Sequence, residues 1–194
     1  MVICGVVLNP KVFAKLKAER VRDSKKIGPH RRQVLAKIIK KEAKDFEIVE
    51  VEAEEIDQKR RNGTNLNEIE AQGFAKVLNN LKVKKVYIDS ASADSDKFSQ
   101  KIQKLLKNKK KLVVEHGADE RYLPVSAASI IAKVRRDERI EELKDEYGET
   151  GSGYPSDDRT VDFLKRWTKK HDEYPWFVRK SWKTAQRIKS EVVE

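Results

Sequence analysis

Short apolar runs rich in β-branched residues alternate along this chain with longer stretches in which apolar residues recur every three or four positions. Val2 to Leu8 is a continuous apolar run stopped by Asn9 and Pro10, the pattern of a buried strand that turns into a helix. Phe46 to Val51, Lys85 to Asp89 and Lys111 to Glu115 are further strand candidates, separated by helical patterns, so the order predicts an α/β sheet protein. Val34, Leu35, Ile38 and Ile39 mark a helix from about Pro29 to Lys44, with Pro29 suited to a first-turn position. A second helix is expected from Leu66 to Leu81, with Asn65 as N-cap and Glu68 completing a capping box. A third is expected from Ser126, as its cap, to Tyr147, with Ile130, Ile131, Val134, Ile140 and Leu143 as the buried stripe. Gly148, Gly151, Gly153 and Pro155 then crowd into a loop before helices resume near Arg159, and the tail from Trp182 to Glu194 reads as a basic helix. The expectation is one domain over 1–194, with a helical C-terminal region from about 158.

Composition narrows the partners. Lys and Arg number 43 against 32 Asp and Glu, a net charge of +11 that would attract a polyanion such as nucleic acid. A solvated Lys/Glu-rich surface explains the same numbers, and composition does not separate the two. Cys4 is the only cysteine, so an intramolecular disulfide is excluded; its place in an apolar run makes it a small core residue and fits a reducing cytoplasm. The same run is too short to span a bilayer and has no basic segment before it, so a soluble cytoplasmic protein without signal peptide or membrane partner is expected.

Two carboxylates stand where chemistry is often found. Asp89 ends the run Val86, Tyr87, Ile88, at the C-terminal edge of a strand where α/β proteins bind ligands, and Asp119 follows a strand in the same way. Paired carboxylates there could share hard cations such as Mg²⁺ or Mn²⁺, which serve phosphodiester hydrolysis. A turn residue or helix cap is the plainer reading of each. His116 is more simply a structural histidine than a ligand. The basic run Val21 to Lys26, containing Arg22, Ser24 and Lys25, offers groups that suit phosphate oxygens, and it is equally an ordinary solvated loop. Tyr154, in the glycine-rich loop, is an aromatic ring suited to stacking on a sugar or base, with structural packing as the alternative.

These segments together resemble the archaeal type of the ribonuclease HII family. The resemblance is carried by Val21 to Lys26, Leu66-Asn67-Glu68, the strand ending in Asp89, His116 to Asp119, Val125 to Lys133, Gly151 to Asp157, and Trp182-Lys183-Thr184, in the family's order and spacing. It implies a ribonuclease H-like fold with a mixed five-stranded sheet, flanking helices and a helical C-terminal part. It also implies an endonuclease that cuts the RNA strand of RNA/DNA hybrids, and ribonucleotides embedded in duplex DNA, leaving 5′-phosphate ends. In the family four carboxylates hold two Mg²⁺ or Mn²⁺ ions; Asp89 and Asp119 match two of them. Tyr154 matches the tyrosine that packs on deoxyribose at the RNA-to-DNA junction, and Arg22, Ser24, Lys25 and Ser126 lie in motifs near the substrate.

The family pattern begins with a strand ending in an aspartate-glutamate pair and a glycine-arginine-glycine turn, and only then reaches the strand that Val2 to Leu8 matches. The resemblance therefore implies that about 15 residues of one central strand and its loop precede Met1 in a longer, active natural protein. The alternative expectation is a crippled remnant that binds hybrids without cutting them. Gly117 stands where the family usually has lysine and Asp158 where it usually has proline. A monomer is expected.

Overall fold

The computed structural model describes residues 1–21, 27–90 and 92–193. Its elements run in the order β1 (Val2–Val7), a short 3-10 turn (Pro10–Val12), α1 (Phe13–Ala18), α2 (Pro29–Glu42), β2 (Asp45–Glu50), α3 (Ala53–Arg61) and α4 (Leu66–Asn80). Then come β3 (Lys85–Asp89), α5 (Ser95–Leu105), β4 (Lys111–Glu115), α6 (Ala118–Arg121), α7 (Leu123–Tyr147), α8 (Asp158–Thr168) and α9 (Lys183–Val193). No described helix is long and apolar enough to cross a membrane. The described chain groups into two compact units, one made of Met1, Val51–Leu66 and Arg135–Glu194, the other of Val2–Glu50 and Asn67–Val134.

The strand-bearing unit contains two separate ladders. β1 pairs antiparallel with β2 through Val2↔Glu50 to Val7↔Asp45, and β3 pairs in parallel with β4 through Lys85↔Lys111 to Asp89↔Glu115. Antiparallel and parallel pairing are both present, as a mixed sheet requires. Among the described residues two two-stranded sheets stand, where the resemblance implies the strands of one five-stranded sheet without its first, central strand. Side chains join what backbone hydrogen bonds do not. Phe74 of α4 packs both with Ile3, Val77 and Leu81 beneath β1 and with Ile88, Phe98 and Ile102 beneath β3. A larger core forms where α2 meets α7, through Leu35, Ala36, Ile39, Leu123, Ala127, Ile130 and Ile131, with Leu16 and Val21 closing it. Burying such side chains contributes about 1.5–3 kcal/mol each, so these contacts carry most of the unit's stability.

α7 starts three residues before the expected cap. The Tyr122 carbonyl accepts from the amides of both Val125 and Ser126, and Pro124 is tolerated in the first turn because its missing N–H would have had no helical partner there. Ser126 is therefore inside the helix, fully buried, and its hydroxyl donates 2.6 Å to the Val21 carbonyl. The helical unit has its own core of Phe163, Leu164, Tyr174, Val178, Ala185 and Ile188, which sets α8 against α9. Trp182 packs against this core.

Gly5 allows the close approach of β1 and α4: a Cβ there would lie 2.6 Å from Val77 Cγ1 and 2.8 Å from Leu81 Cδ1. Gly5→Ala should lose about 1–3 kcal/mol of stability through overpacking, read as a lower urea midpoint at unchanged slope.

Candidate active site

Parallel pairing places the C-terminal ends of β3 and β4 at one edge, and the chain that leaves each strand brings a carboxylate to it. Asp89 is the last residue of β3 and lies in register with Glu115, the last of β4. Beyond Glu115 the chain must reverse within two residues to start α6. Gly117 makes this possible with φ of +66°, a left-handed conformation in which a side chain would be strained. The reversal aims the Ala118 amide at Asp89, donating 3.0 Å to its Oδ1. Asp119 is the next residue, only 4% exposed. The Ala118 amide thereby ties the turn that carries Asp119 to the Asp89 carboxylate at the end of β3. The His116 carbonyl accepts from the Arg121 guanidinium at 2.5 Å.

Glu70 is a further acid near Asp89 that the sequence did not single out. It sits on α4, and partial burial together with the negative charge of Asp89 raises its pKa above the ordinary glutamate value. Nothing in the helical pattern of α4 marks it, because its significance comes from the strand that α4 packs against. Among the described residues no three His, Cys, Asp or Glu side chains gather into a set that would hold a metal ion unaided. Mg²⁺ is commonly bound through only one or two carboxylates, with water and substrate phosphate oxygens completing its shell. The hard oxygen donors of Asp89 and Asp119 fit an ion of that kind.

Tyr154 belongs to the helical unit and is 54% exposed. The loop beneath it is wired down. Asp157 caps α8 by accepting from the Arg159 amide, accepts from the Ser152 amide at 2.8 Å, and takes two hydrogen bonds from the Arg159 guanidinium. Those donors hold its carboxyl well below the usual carboxylate range. Gly151, with φ of +69°, lies against Thr160, and the Thr160 hydroxyl accepts from the Gly153 amide and donates to the Thr150 carbonyl. Arg136 of α7 donates to the Ser152 carbonyl and lays its guanidinium 4.2 Å from the Tyr154 ring centroid. The ring is therefore an exposed face on a fixed support. Arg22, Ser24 and Lys25 lie outside the described residues. Ser126 is too deeply buried to present its hydroxyl at a surface.

Ser126→Ala would leave the buried Val21 carbonyl without this donor and should cost about 1–3 kcal/mol, measured by urea denaturation. Glu70 holds its proton more tightly folded than unfolded. Its contribution thus favours the folded state in acid and is lost as pH rises through its raised value. Glu70→Gln, which mimics the protonated form, should raise Tm at neutral pH in EDTA. The gain should vanish below the ordinary glutamate pKa of about 4.3, where both states are protonated.

Comparison with known proteins agrees with this geometry. The Ribonuclease HII family profile matches residues 1–185. The ribonuclease HII of Thermococcus onnurineus is 47% identical over 196 residues, spanning 100% of this chain and 85% of that protein. That of Pyrococcus furiosus is 44% identical, spanning 99% and 85%. Among solved structures, the ribonuclease H2 of Pyrococcus horikoshii OT3 superposes with a TM-score of 0.88 at 36% identity, covering 100% of both chains. The RNase HII of Archaeoglobus fulgidus, solved as a complex with PCNA, gives 0.86 at 37% identity, covering 96% of this chain and 88% of that one. With a ribonuclease H-like fold and family identity along most of its length, the chain belongs to the ribonuclease HII family and is a ribonuclease H enzyme.

Proposed function

We propose that this enzyme hydrolyses the RNA strand of RNA/DNA hybrids, and cuts at ribonucleotides embedded in duplex DNA, by a two-metal mechanism that leaves 5′-phosphate ends. The observation that supports this reading is the hydrogen bond from the Ala118 amide to Asp89, which ties the turn carrying Asp119 to the end of β3 in a chain of this family. Asp89 and Asp119 would hold Mg²⁺ or Mn²⁺. The Ala118 amide orients Asp89 through Oδ1, so that Oδ2 is left for the ion. A bound divalent ion supplies an activated water nucleophile and offsets charge on the phosphoryl group and leaving 3′ oxygen. Burial of Asp119 lowers the local dielectric, which strengthens its attraction for a cation.

The remaining groups position the substrate. Tyr154 offers an exposed ring to deoxyribose beside the ribonucleotide, and its support by Arg136 and Asp157 limits the entropy lost on stacking. Arg22, Ser24 and Lys25 would contact backbone phosphates, which fix register without reading sequence. The net charge of +11 steers the protein to the polyanion as a monomer and makes binding weaken with salt.

Asp89→Asn keeps the size of the side chain and removes its charge. With Mg²⁺ or Mn²⁺ present it should slow cleavage of a duplex carrying one ribonucleotide by about 100-fold or more, the loss expected when several kcal/mol of metal-borne stabilisation disappear. Retention of near wild-type cleavage, read on a denaturing gel, would contradict the assignment.

A further inference from the structure

Asp119 stands in a part of the chain that its own backbone holds weakly. α6 spans four residues, a single turn, and forming one turn fixes about six dihedral angles for one hydrogen bond. It follows Gly117, the residue type with the greatest backbone freedom, and no atom lies within 4 Å of where a Cβ would stand there. The Ala118 amide fastens the first residue of α6 to Asp89. Beyond Ala118, Asp119 keeps one position only through contacts made by its neighbours.

Two side chains just past Asp119 supply them. The Arg121 guanidinium spans the turn: Nη1 pairs with Glu115 Oε2 at 2.9 Å, and Nη2 donates to the His116 carbonyl. The Tyr122 hydroxyl donates to Glu115 Oε1 at 3.2 Å, so both oxygens of the carboxylate that ends β4 are gripped from beyond the turn. The Tyr122 ring in turn stacks on Tyr87 of β3, with 4.2 Å between centroids and 29° between planes. Tyr87 and Asp89 are two apart on that strand and share a face. A closed circuit of contacts thus runs from the end of β4, around the turn, to the strand that bears Asp89. Arginine suits the first link, because its planar fork reaches two acceptors in a fixed geometry where a lysine ammonium is a single point charge.

The sign of Arg121 is unexpected. It is a cation two positions from a carboxylate proposed to hold a cation, and its charge opposes that binding. We infer that Arg121, with Glu115 and Tyr122, positions Asp119 for the divalent ion, so that this clasp tightens ion binding in spite of its own positive charge. The inference rests on the reading of Asp89 and Asp119 as the ion-holding carboxylates.

The experiment measures Mn²⁺ binding to the full chain through the electron paramagnetic resonance signal of the free ion, for wild type, Asp89→Asn, Arg121→Gln and Tyr122→Phe. Wild type should bind the ion, and Asp89→Asn should bind it far more weakly. Arg121→Gln should raise the dissociation constant about tenfold, the usual consequence of losing a group that orients a metal-holding side chain. Coulomb's law alone gives the opposite sign, since a positive charge has been removed. Tyr122→Phe keeps the ring and every charge, and should raise the constant about threefold, the scale of one hydrogen bond. Both variants should melt in EDTA within about 2 °C of wild type, because exposed ion pairs contribute little to stability. Tyr122→Phe decides the matter by itself where Arg121→Gln folds poorly. Variants that bind Mn²⁺ as tightly as wild type or more so, or that lower Tm without moving the constant, would overturn the clasp and leave the cation site standing. A wild type whose Mn²⁺ binding is absent or indifferent to Asp89→Asn would instead remove the cation site, and the role of the clasp with it.

Discussion

One hydrogen bond organises the candidate active site: the Ala118 amide to the Asp89 carboxylate. It joins the end of β3 to the turn that follows β4, and it can form only because the strands are parallel and end in register. An antiparallel pair would put the two strand ends at opposite edges. Gly117 supplies the left-handed turn that brings Ala118 to the bond, and Asp119 follows as the next residue. The apolar packing of β3 on α4 and α5, through Ile88, Phe98 and Ile102, fixes the strand from which Asp89 projects.

A second arrangement serves Tyr154 by different means. Polar contacts hold the glycine-rich loop: Asp157 to Ser152 and Arg159, Thr160 to Gly153, Arg136 to Ser152. Charge-assisted hydrogen bonds converging on a few residues can order a loop that composition alone would leave loose. The outcome is an aromatic surface that is both exposed and supported.

Much of this was legible in the sequence. β3 and β4 begin and end where their β-branched runs do, since a strand buried on a sheet shows as continuous apolar residues. α3 and α5 were not delimited: α3 has Ile56 as its one large apolar residue, and its anchor is the buried carboxylate of Asp57, which reads as surface charge in a sequence. The start of α7 was placed at Ser126 because serine is a favoured cap, whereas that hydroxyl is committed to a carbonyl 105 residues away. Asp89, Asp119 and Tyr154 stood out through motif resemblance. Glu70 and Arg136 did not, because each matters through what another element brings beside it. The single mixed sheet implied by the resemblance also differs from the two ladders present, which are linked by Phe74 and its neighbours.

Asp89 and Asp119 are proposed to hold one cation together. Titration of ¹⁵N-labelled protein with substoichiometric Mn²⁺, followed by paramagnetic broadening of backbone amide signals, tests it most directly. If the two carboxylates share an ion, Ala118, Asp119 and Ser90 broaden first and Asp89→Asn suppresses the effect. Broadening centred elsewhere, or unchanged in that variant, would contradict it.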